Sequence, residues 1–537
     1  MASNPARIVS GASPDVPGAS RRWLALVVLC VSLLIVTLDN TVLNVVLPVL
    51  VRDLHATSTQ LQWIVDAYVI VFAGLLLAAG SVADRVGRKR TFLAGMVVFA
   101  AGSTWAAFSG DVGMLIAARA SMGIGGALIM PSTLSIITDM FRDPGERQRA
   151  IGLWAGTSGL GVALGPIIGG LLLAHYWWGS VFLINVPIAV VGLALAIPLV
   201  PDSRKAQAPS PDVVGTLLSV AGLGLVLWSI IEAPTRGWSS ARVIASGVAG
   251  LIVLAGFVLW ERISTHPMLN LSFFRVRSFS AAVPSVAMVT FGLFGALFVL
   301  TQYLQFSLGF TPLETGVRVL PAAGAVAICA PLSALLVRAI GTKVTVALGL
   351  LIIAGGLWQI SGATVTTTYA GTVAGMILLG VGAGLAIPSA TASVMGSVPR
   401  GDTGVGSATN GAFMQVGGAL GVAVIGSLLN TRYQDKMTAA LAGQHVPHEA
   451  MTAILGSLGG ALAVAQQAGG EVGQMLASLA RSAFVSAMDL GLRAGAAAAI
   501  AGAIIALAAL PSWPHGRHES AAGEEEDIPA GSRIGTS

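Results

Sequence analysis

Charge is what this sequence has least of. Asp, Glu, Lys and Arg make up only 10% of its 537 residues, against about 25% in a soluble protein. Its mean hydropathy is +0.83. Such a chain cannot clothe itself in a solvated surface and reads as a polytopic membrane protein. Helices are then the open-chain solution, because every backbone polar group must be satisfied within its own segment. Cysteine is nearly absent. Cys30 and Cys329 both sit in apolar runs, where a thiol serves as apolar filler, so neither a disulfide framework nor a cysteine metal site is expected. None of the seven histidines falls in mid-span, and there is no HExxH, Cys/His cluster or GxxxxGK[ST] loop. A metal centre, a cofactor and a nucleotide engine all lack their residues, and an ion gradient is left as the energy source. The net charge of +5 is too small for a nucleic-acid footprint and has to be read by side of the membrane.

What the chain does have is a succession of apolar runs of spanning length, about twenty residues each. Fourteen are read near 23–48, 61–83, 91–109, 113–138, 150–173, 180–200, 213–231, 242–261, 281–304, 317–338, 345–363, 367–392, 404–428 and 486–511. The first follows Arg21-Arg22, is as long as a span and carries Asp39, so it does not read as a cleavable signal peptide. An even number places both termini on one side. Most of the 29 Lys and Arg fall on that side, including Arg85, Arg88, Lys89, Arg90, Arg262, Arg275 and Lys343. Positively charged loops stay in the cytoplasm, so both ends are expected there. The 67 glycines fit close helix packing in a membrane.

The most informative stretch is Leu38-Asp39-Asn40-Thr41-Val42-Leu43-Asn44-Val45-Val46-Leu47-Pro48. It puts a carboxylate inside a span, at a cost of roughly 2.5–3.5 kcal/mol on insertion scales, which makes Asp39 a functional candidate. At 1.5 Å per residue, Asp39 lies ~13 Å below the outer end of its span, with Asp66 and Arg119 at similar depth in theirs. A shift of 254 positions carries Gly87-Arg88-Lys89 onto Gly341-Thr342-Lys343 and span positions one to five onto nine to thirteen. The chain thus reads as a duplication: a tail at 1–20, a six-helix half at 21–200, two extra helices at 201–262, and a second half at 263–511. That half holds an outer insertion at about 430–485, and a second tail follows at 512–537, with an acidic run at 524–527. Both tails read as disordered. Under the same shift Asp39, Asp66, Asp84 and Arg119 map onto Leu293, Leu320, Arg338 and Val373, which confines proton chemistry to the first half.

Four motifs now resemble the major facilitator superfamily, specifically its fourteen-helix drug:proton antiporters. Residues 38–48 are similar to the group's LDxTVxNVxLP pattern. Gly80-Ser81-Val82-Ala83-Asp84-Arg85-Val86-Gly87-Arg88-Lys89-Arg90 resembles the GxLADRxGRKR loop. Arg119 with Gly123, Gly125 and Gly126 resembles RxxQGxGxA, with Met122 at the usual glutamine. Gly161-Val162-Ala163-Leu164-Gly165-Pro166-Ile167-Ile168-Gly169-Gly170 matches the antiporter GxxxGPxxGG. The resemblance implies an all-α major facilitator fold, two six-helix halves plus two extra central helices, not an enzyme. The elements Trp63-Ile64-Val65-Asp66-Ala67-Tyr68 and 177–187 lean toward exporters of quaternary ammonium and other lipophilic cations. Stretches 321–331 and 408–418 hold no acid, leaving Asn410 and Gln415 as polar residues.

The resemblance gives each motif a role, and the residues leave an alternative beside it. Asp39 would load and release the proton with Arg119 tuning it; a static pair holding helices together is the alternative. Asp66 would attract a cationic drug or relay the proton, or else is a solvated residue at the cavity mouth. Gly80, Asp84, Arg85, Gly87, Arg88, Lys89 and Arg90 would form a cytoplasmic latch, or else a plain basic loop. Gly161, Gly165 and Gly169 form one small-residue stripe, which with Pro166 and Gly170 would make a flexible seal or merely tight packing. Trp63, Tyr68, Trp154, Phe291, Phe294 and Phe413 would line a drug cavity; singly, each also suits packing or lipid contact. The insertion is either a cap over the outer mouth or a loosely ordered excursion. The expected protein is a monomeric, proton-driven exporter of lipophilic, foremost cationic, drugs in a bacterial cytoplasmic membrane, surrounded by lipid. An exporter of an endogenous lipid or secondary metabolite is the nearest rival; a receptor or embedded enzyme is a more distant one.

Overall fold

A computed structural model describes residues 19–141, 143–203, 211–265, 267–399 and 403–512. The tails at 1–20 and 512–537 lie outside it apart from residues 19, 20 and 512, and so does the acidic run. Among the described residues the chain is helical, with no strand. In order the helices are α1 Ala19–Asp53, α2 Ser58–Val86, α3 Arg88–Ala107, α4 Val112–Met140, α5 Pro144–His175, α6 Ser180–Leu183, α7 Asn185–Leu199, α8 Val213–Arg236 and α9 Ala241–Ile263. They continue with α10 Arg277–Gln302, α11 Pro312–Ser361, α12 Tyr369–Gly396, α13 Thr403–Ala440, α14 His448–Gly456, α15 Leu458–Ala468 and α16 Gly470–Ala509.

Each expected apolar run lies within this helical array. Eleven helical segments among the described residues are long and apolar enough to cross a membrane, and the difference from fourteen has physical causes. α3 opens on Arg88-Lys89-Arg90. In α5 only Ala163–His175 is a continuous apolar piece. α11 runs 50 residues and contains two of the expected spans, divided at Gly341, whose φ of 84° and ψ of 162° are not helical.

Local chemistry sets the boundaries. Thr57 and Gln60 form a reciprocal capping box at the start of α2. Asp111 caps α4 through Met114 N–H. Thr311 and Glu314 repeat the box at α11, with Pro312 in its first turn. Each box satisfies N–H groups the helix leaves orphaned. Gly87 turns α2 into α3 at φ 118°, and Gly341 makes the corresponding turn in the second half. Both positions, 254 apart, need the positive φ that glycine adopts without penalty.

Within the first half α1 packs on α5 and α7, and α4 lies between α2 and α3; within the second, α10 packs on α13, α12 and α16. The halves meet through α2 against α13 and α5 against α11, while α8 pairs with α9 and leans on α2 and α13. For orientation, the end holding Ala19 and Ser512 is the terminal end and the opposite one the distal end. The closest contacts between the halves are distal. A Cβ added to Gly316 would fall 2.1 Å from Pro166 O, and one on Gly170 would fall 2.5 Å from Leu313 Cα. Asn430 Nδ2 donates to Thr59 Oγ1 at 3.2 Å, and Gln305 Nε2 to Val45 O at 2.9 Å. Toward the terminal end, a Cβ on Gly80, Gly152 or Gly156 would meet nothing within 4 Å.

The insertion is a helical cap. α14 and α15 lie on the distal ends of both halves: a Cβ on Gly459 would meet Val51 Cγ1 of α1 at 2.5 Å and the Phe306 ring at 2.6 Å. Tyr433, 1% exposed, donates its hydroxyl to Ile454 O at 3.0 Å, pinning the cap to α13.

Candidate functional site

Asp39 and Arg119 come together. Asp39 is 2% exposed and Arg119 fully buried, and Arg119 Nη1 pairs with Asp39 Oδ2. The second carboxylate oxygen accepts from Asn185 Nδ2 at 3.2 Å, and Asn185 also reaches Ser103 Oγ at 3.3 Å. Arg119 Nε donates to Ile64 O at 3.2 Å, and its guanidinium lies 4.5 Å from the centre of the Tyr68 ring. Four helices, α1, α2, α4 and α7, thus converge on one buried charge pair, with α3 supplying Ser103. Removing either charge would leave the other desolvated and alone, which is costly in a low-dielectric interior.

The glycines beside Arg119 explain how α4 gets this close. A Cβ on Gly123 would sit 2.6 Å from Tyr68 O, and one on Gly126 would sit 2.8 Å from the Tyr68 hydroxyl. On the opposite side, a Cβ on Gly125 would strike Phe99 N at 2.6 Å. Met122 is buried, and its sulfur lies 3.9 Å from Arg119 Nη1, a weak contact at the position of the usual glutamine.

Asp66 is not part of this cluster. Ile64 and Tyr68 turn toward α4, whereas Gln62 and Asp66 share another face one helical turn apart. Gln62 meets α13, where a Cβ on Gly426 would lie 2.0 Å from its Nε2. Asp66 is fully buried, and neither carboxylate oxygen has a hydrogen-bond partner among the described residues. A side chain this buried does not fit the alternative of a solvated residue at a cavity mouth. One helical turn from Gln62, it lies on the side of α2 that meets α13.

The antiporter motif splits into two faces of α5. Gly161, Gly165 and Gly169 pack on α1: added Cβ atoms would fall 2.0 Å from Thr37 Oγ1, 1.9 Å from Thr41 Oγ1 and 3.0 Å from Val42 Cγ1. Thr41 Oγ1 also donates to Gly161 O at 3.2 Å. Both partners lie in the first half, so this stripe is not the contact between halves. Pro166 and Gly170, one residue further round, face Gly316 and Leu313 of α11. The stripe packs closely as expected, and the neighbouring face of the same motif meets the second half at the distal end.

The Asp84–Arg90 loop is knitted into its own half. Arg88 Nε and Nη2 reach Asp84 Oδ1 at 2.8 Å, Nη1 pairs with Asp139, and Nη1 also donates to Ser135 O at 3.1 Å. Arg88 N donates to Ser203 O at 2.9 Å and Lys89 Nζ to Ile197 O at 2.6 Å; Arg85 and Arg90 are exposed. Arg88→Ala should therefore loosen the ends of α2, α3 and α4. An expected cost of about 1–3 kcal/mol, typical of lost hydrogen bonds to charged groups, is measurable by unfolding in mixed micelles. Unchanged stability would show that the loop does not brace the fold.

The remaining expected site residues scatter. Trp63 Nε1 donates to Glu232 Oε1 of α8 at 3.3 Å, and Trp154 Nε1 to Thr133 Oγ1 at 3.1 Å. Phe291 and Phe294 pack against Gly421 and Gly418 of α13. Asn410, 6% exposed, donates to Thr391 Oγ1 at 3.3 Å, and Gln415 is half-buried. Phe413 faces Phe274 at 6.1 Å and lines a cavity of ≈ 1080 Å³ between α2, α8, α9, α13 and the segment leading into α10. Sequence reasoning left out Asn185, Ser103, Gln62 and Glu232. Polar side chains in or beside apolar runs were the available signal. No group of three or more His, Cys, Asp or Glu suited to a metal occurs among the described residues.

Known proteins share this architecture. A tetracenomycin C resistance and export protein of Streptomyces glaucescens is 34% identical over 95% of each chain. The multidrug efflux pump LfrA of Mycolicibacterium smegmatis is 35% identical over 91% of this chain and 95% of its own. The methyl viologen resistance protein SmvA of Salmonella typhimurium is 31% identical over 92% and 98%. Among solved structures, an inward-facing bacterial homolog of the human lysosomal transporter Spinster superposes with a TM-score of 0.63 at 17% identity, covering 92% of this chain and all of that one. The sequence profile of the Major Facilitator Superfamily matches residues 29–422, and the chain, a multi-pass membrane transporter and not an enzyme, belongs to that superfamily.

Proposed function

We propose that this protein exports lipophilic drugs, cationic ones foremost, in exchange for protons. The observation that carries the proposal is the buried Asp39–Arg119 pair, an intramembrane acid and base held together at the junction of several helices. A carboxylate there changes its proton affinity whenever its distance from the guanidinium changes. Both groups lie in the first half, so rocking of the halves about their interface would act by changing the pair's access to water, which also shifts a carboxylate's proton affinity. Relatives named as a multidrug efflux pump, a tetracenomycin C resistance and export protein and a methyl viologen resistance protein support drugs as cargo. In this reading the chain crosses the cytoplasmic membrane fourteen times as a monomer, the terminal end is cytoplasmic, and distal closure corresponds to an inward-facing state. The proton gradient replaces any cofactor. Ethidium efflux from cells expressing the protein should fall to passive leak when a protonophore is added. Persistence of active efflux would reject proton coupling.

Asp66 is assigned to the cargo. A buried, unpartnered carboxylate between the halves attracts a cation far more strongly than a neutral molecule. Asp66→Asn should reduce export of ethidium about tenfold, equivalent to ~1.4 kcal/mol, and leave a neutral drug nearly unchanged. Equal losses would reassign Asp66 to proton relay. The tetracenomycin relative favours a second reading, export of a natural product made by the cell. Retention of neutral-drug export in Asp66→Asn would agree with it.

A further inference from the structure

The cavity beside the extra helices is separate from the ion pair and from the distal seal. Its lining includes Leu77 of α2, Phe257 of α9, Phe274, and Phe413 of α13, so it spans a seam between the two halves and the extra pair. At ≈ 1080 Å³ it is as large as the biggest drug-sized pockets, roughly 300–1,000 Å³. Val258, 37% exposed on α9, forms part of its rim, which opens the cavity to the side of the helix bundle.

One end of this apolar space is charged. Glu261, in the last turn of α9, lines it and is 3% exposed. Its Oε2 accepts from Leu269 N at 2.9 Å, but Oε1 has no hydrogen-bond partner among the described residues. Neighbouring Asp212 is already engaged by Gly215 N at 2.8 Å and Trp260 Nε1 at 2.9 Å. Arg262 and Arg275, both exposed, also line the cavity, and neither makes an ion pair among the described residues. A buried lone acceptor calls for a donor, at a desolvation cost of about 1–3 kcal/mol if none arrives. Arginine is suited to phosphate.

We propose that this cavity binds a phospholipid whose headgroup carries both an N–H-bearing ammonium and a phosphate. The ammonium donates to Glu261 Oε1, the phosphate meets Arg262 and Arg275, and the acyl chains run along Phe257, Phe274 and Phe413 toward the bilayer. A simple cationic drug would satisfy Glu261 but face two unpaired arginines. An anionic lipid without an amine would leave Glu261 Oε1 without a donor, and a choline headgroup has no N–H to give. Only the aminophospholipid answers both ends and the apolar wall between them. The position, at the last turn of α9 and the turn before α10, is where an apolar span gives way to a headgroup layer.

The test reads binding, not transport, so it stands apart from the drug-export proposal. The full chain is purified and exchanged into nanodiscs of phosphatidylethanolamine, phosphatidylcholine or phosphatidylglycerol, and bound lipid is counted by native mass spectrometry. Phosphatidylethanolamine should be retained at least tenfold better than the other two. Glu261→Gln keeps an acceptor for Leu269 N–H but loses the charge, and should reduce retention to the level of phosphatidylcholine. Leu223→Trp, which fills the cavity from α8 and leaves Glu261 intact, should do the same. Equal retention of phosphatidylcholine, or undiminished phosphatidylethanolamine in both variants, would overturn the proposal. So would displacement of the lipid by tetraphenylphosphonium at equal concentration.

Discussion

Asp39→Asn is expected to lose uphill export by about a hundredfold or more while still reaching the membrane. The size follows from the site: the carboxylate holds a proton only if it is there to hold it, and among the described residues no second acid pairs with Arg119. A hundredfold loss corresponds to ~2.7 kcal/mol. The substitution also strands a buried guanidinium, which costs about 3–5 kcal/mol when one partner of a buried pair is removed. Part of that cost is offset by Ile64 O and the Tyr68 ring, which stay in contact with Arg119. The double variant Asp39→Asn/Arg119→Gln removes both charges and separates the two effects. If the pair is only a structural clasp, the double variant should regain folding and gradient-driven transport together. If Asp39 couples the proton, it regains folding alone. Proteoliposomes with an imposed pH gradient measure this, with substrate exchange at zero gradient as the control for a folded, cycling protein.

The second large effect concerns Gly316. A single methyl there would lie 2.1 Å from the backbone oxygen of Pro166, a contact between halves that no side-chain rotation can relieve. Overpacking costs about 1–3 kcal/mol. It falls on the distally closed state alone, and ~1.4 kcal/mol is already tenfold in population. Gly316→Ala should therefore shift the protein toward distal opening. Spin labels at Leu171 on α5 and Val317 on α11, 51% and 48% exposed, would report a longer distance distribution. Gly165→Ala is the contrast. Its methyl would strike Thr41 Oγ1 at 1.9 Å inside one half, so it should lower stability without moving the labels. A shift of the same size in both variants would show that the two faces of α5 do not have separate jobs.

Much of this was legible in the chain because membranes impose simple rules. Apolar runs of fixed length, basic residues gathered between them, and an offset of 254 reveal helices, their order and a duplication. Gly87 and Gly341 declared the matching turns, since both need a backbone few other residues adopt. The charges of Asp39 and Arg119 marked themselves, because a bilayer tolerates such groups only with reason. Motif resemblance placed the family. Composition, period and intramembrane charge are local quantities, so the sequence by itself determined the helical membrane architecture, the repeat and the identity of the buried pair.

Tertiary structure alone decided who faces whom. Residues 161, 165 and 169 differ from 166 and 170 by one step round a helix, yet one set meets α1 and the other meets the second half. Asp66 and Tyr68 stand two residues apart, and one turns to the interface while the other lies under Arg119. Whether 430–485 capped the bundle depended on residues as distant in sequence as Val51 and Phe306. A helix reports its own periodicity, but the rotation that sets its neighbours comes from packing every helix at once, and no single segment encodes it.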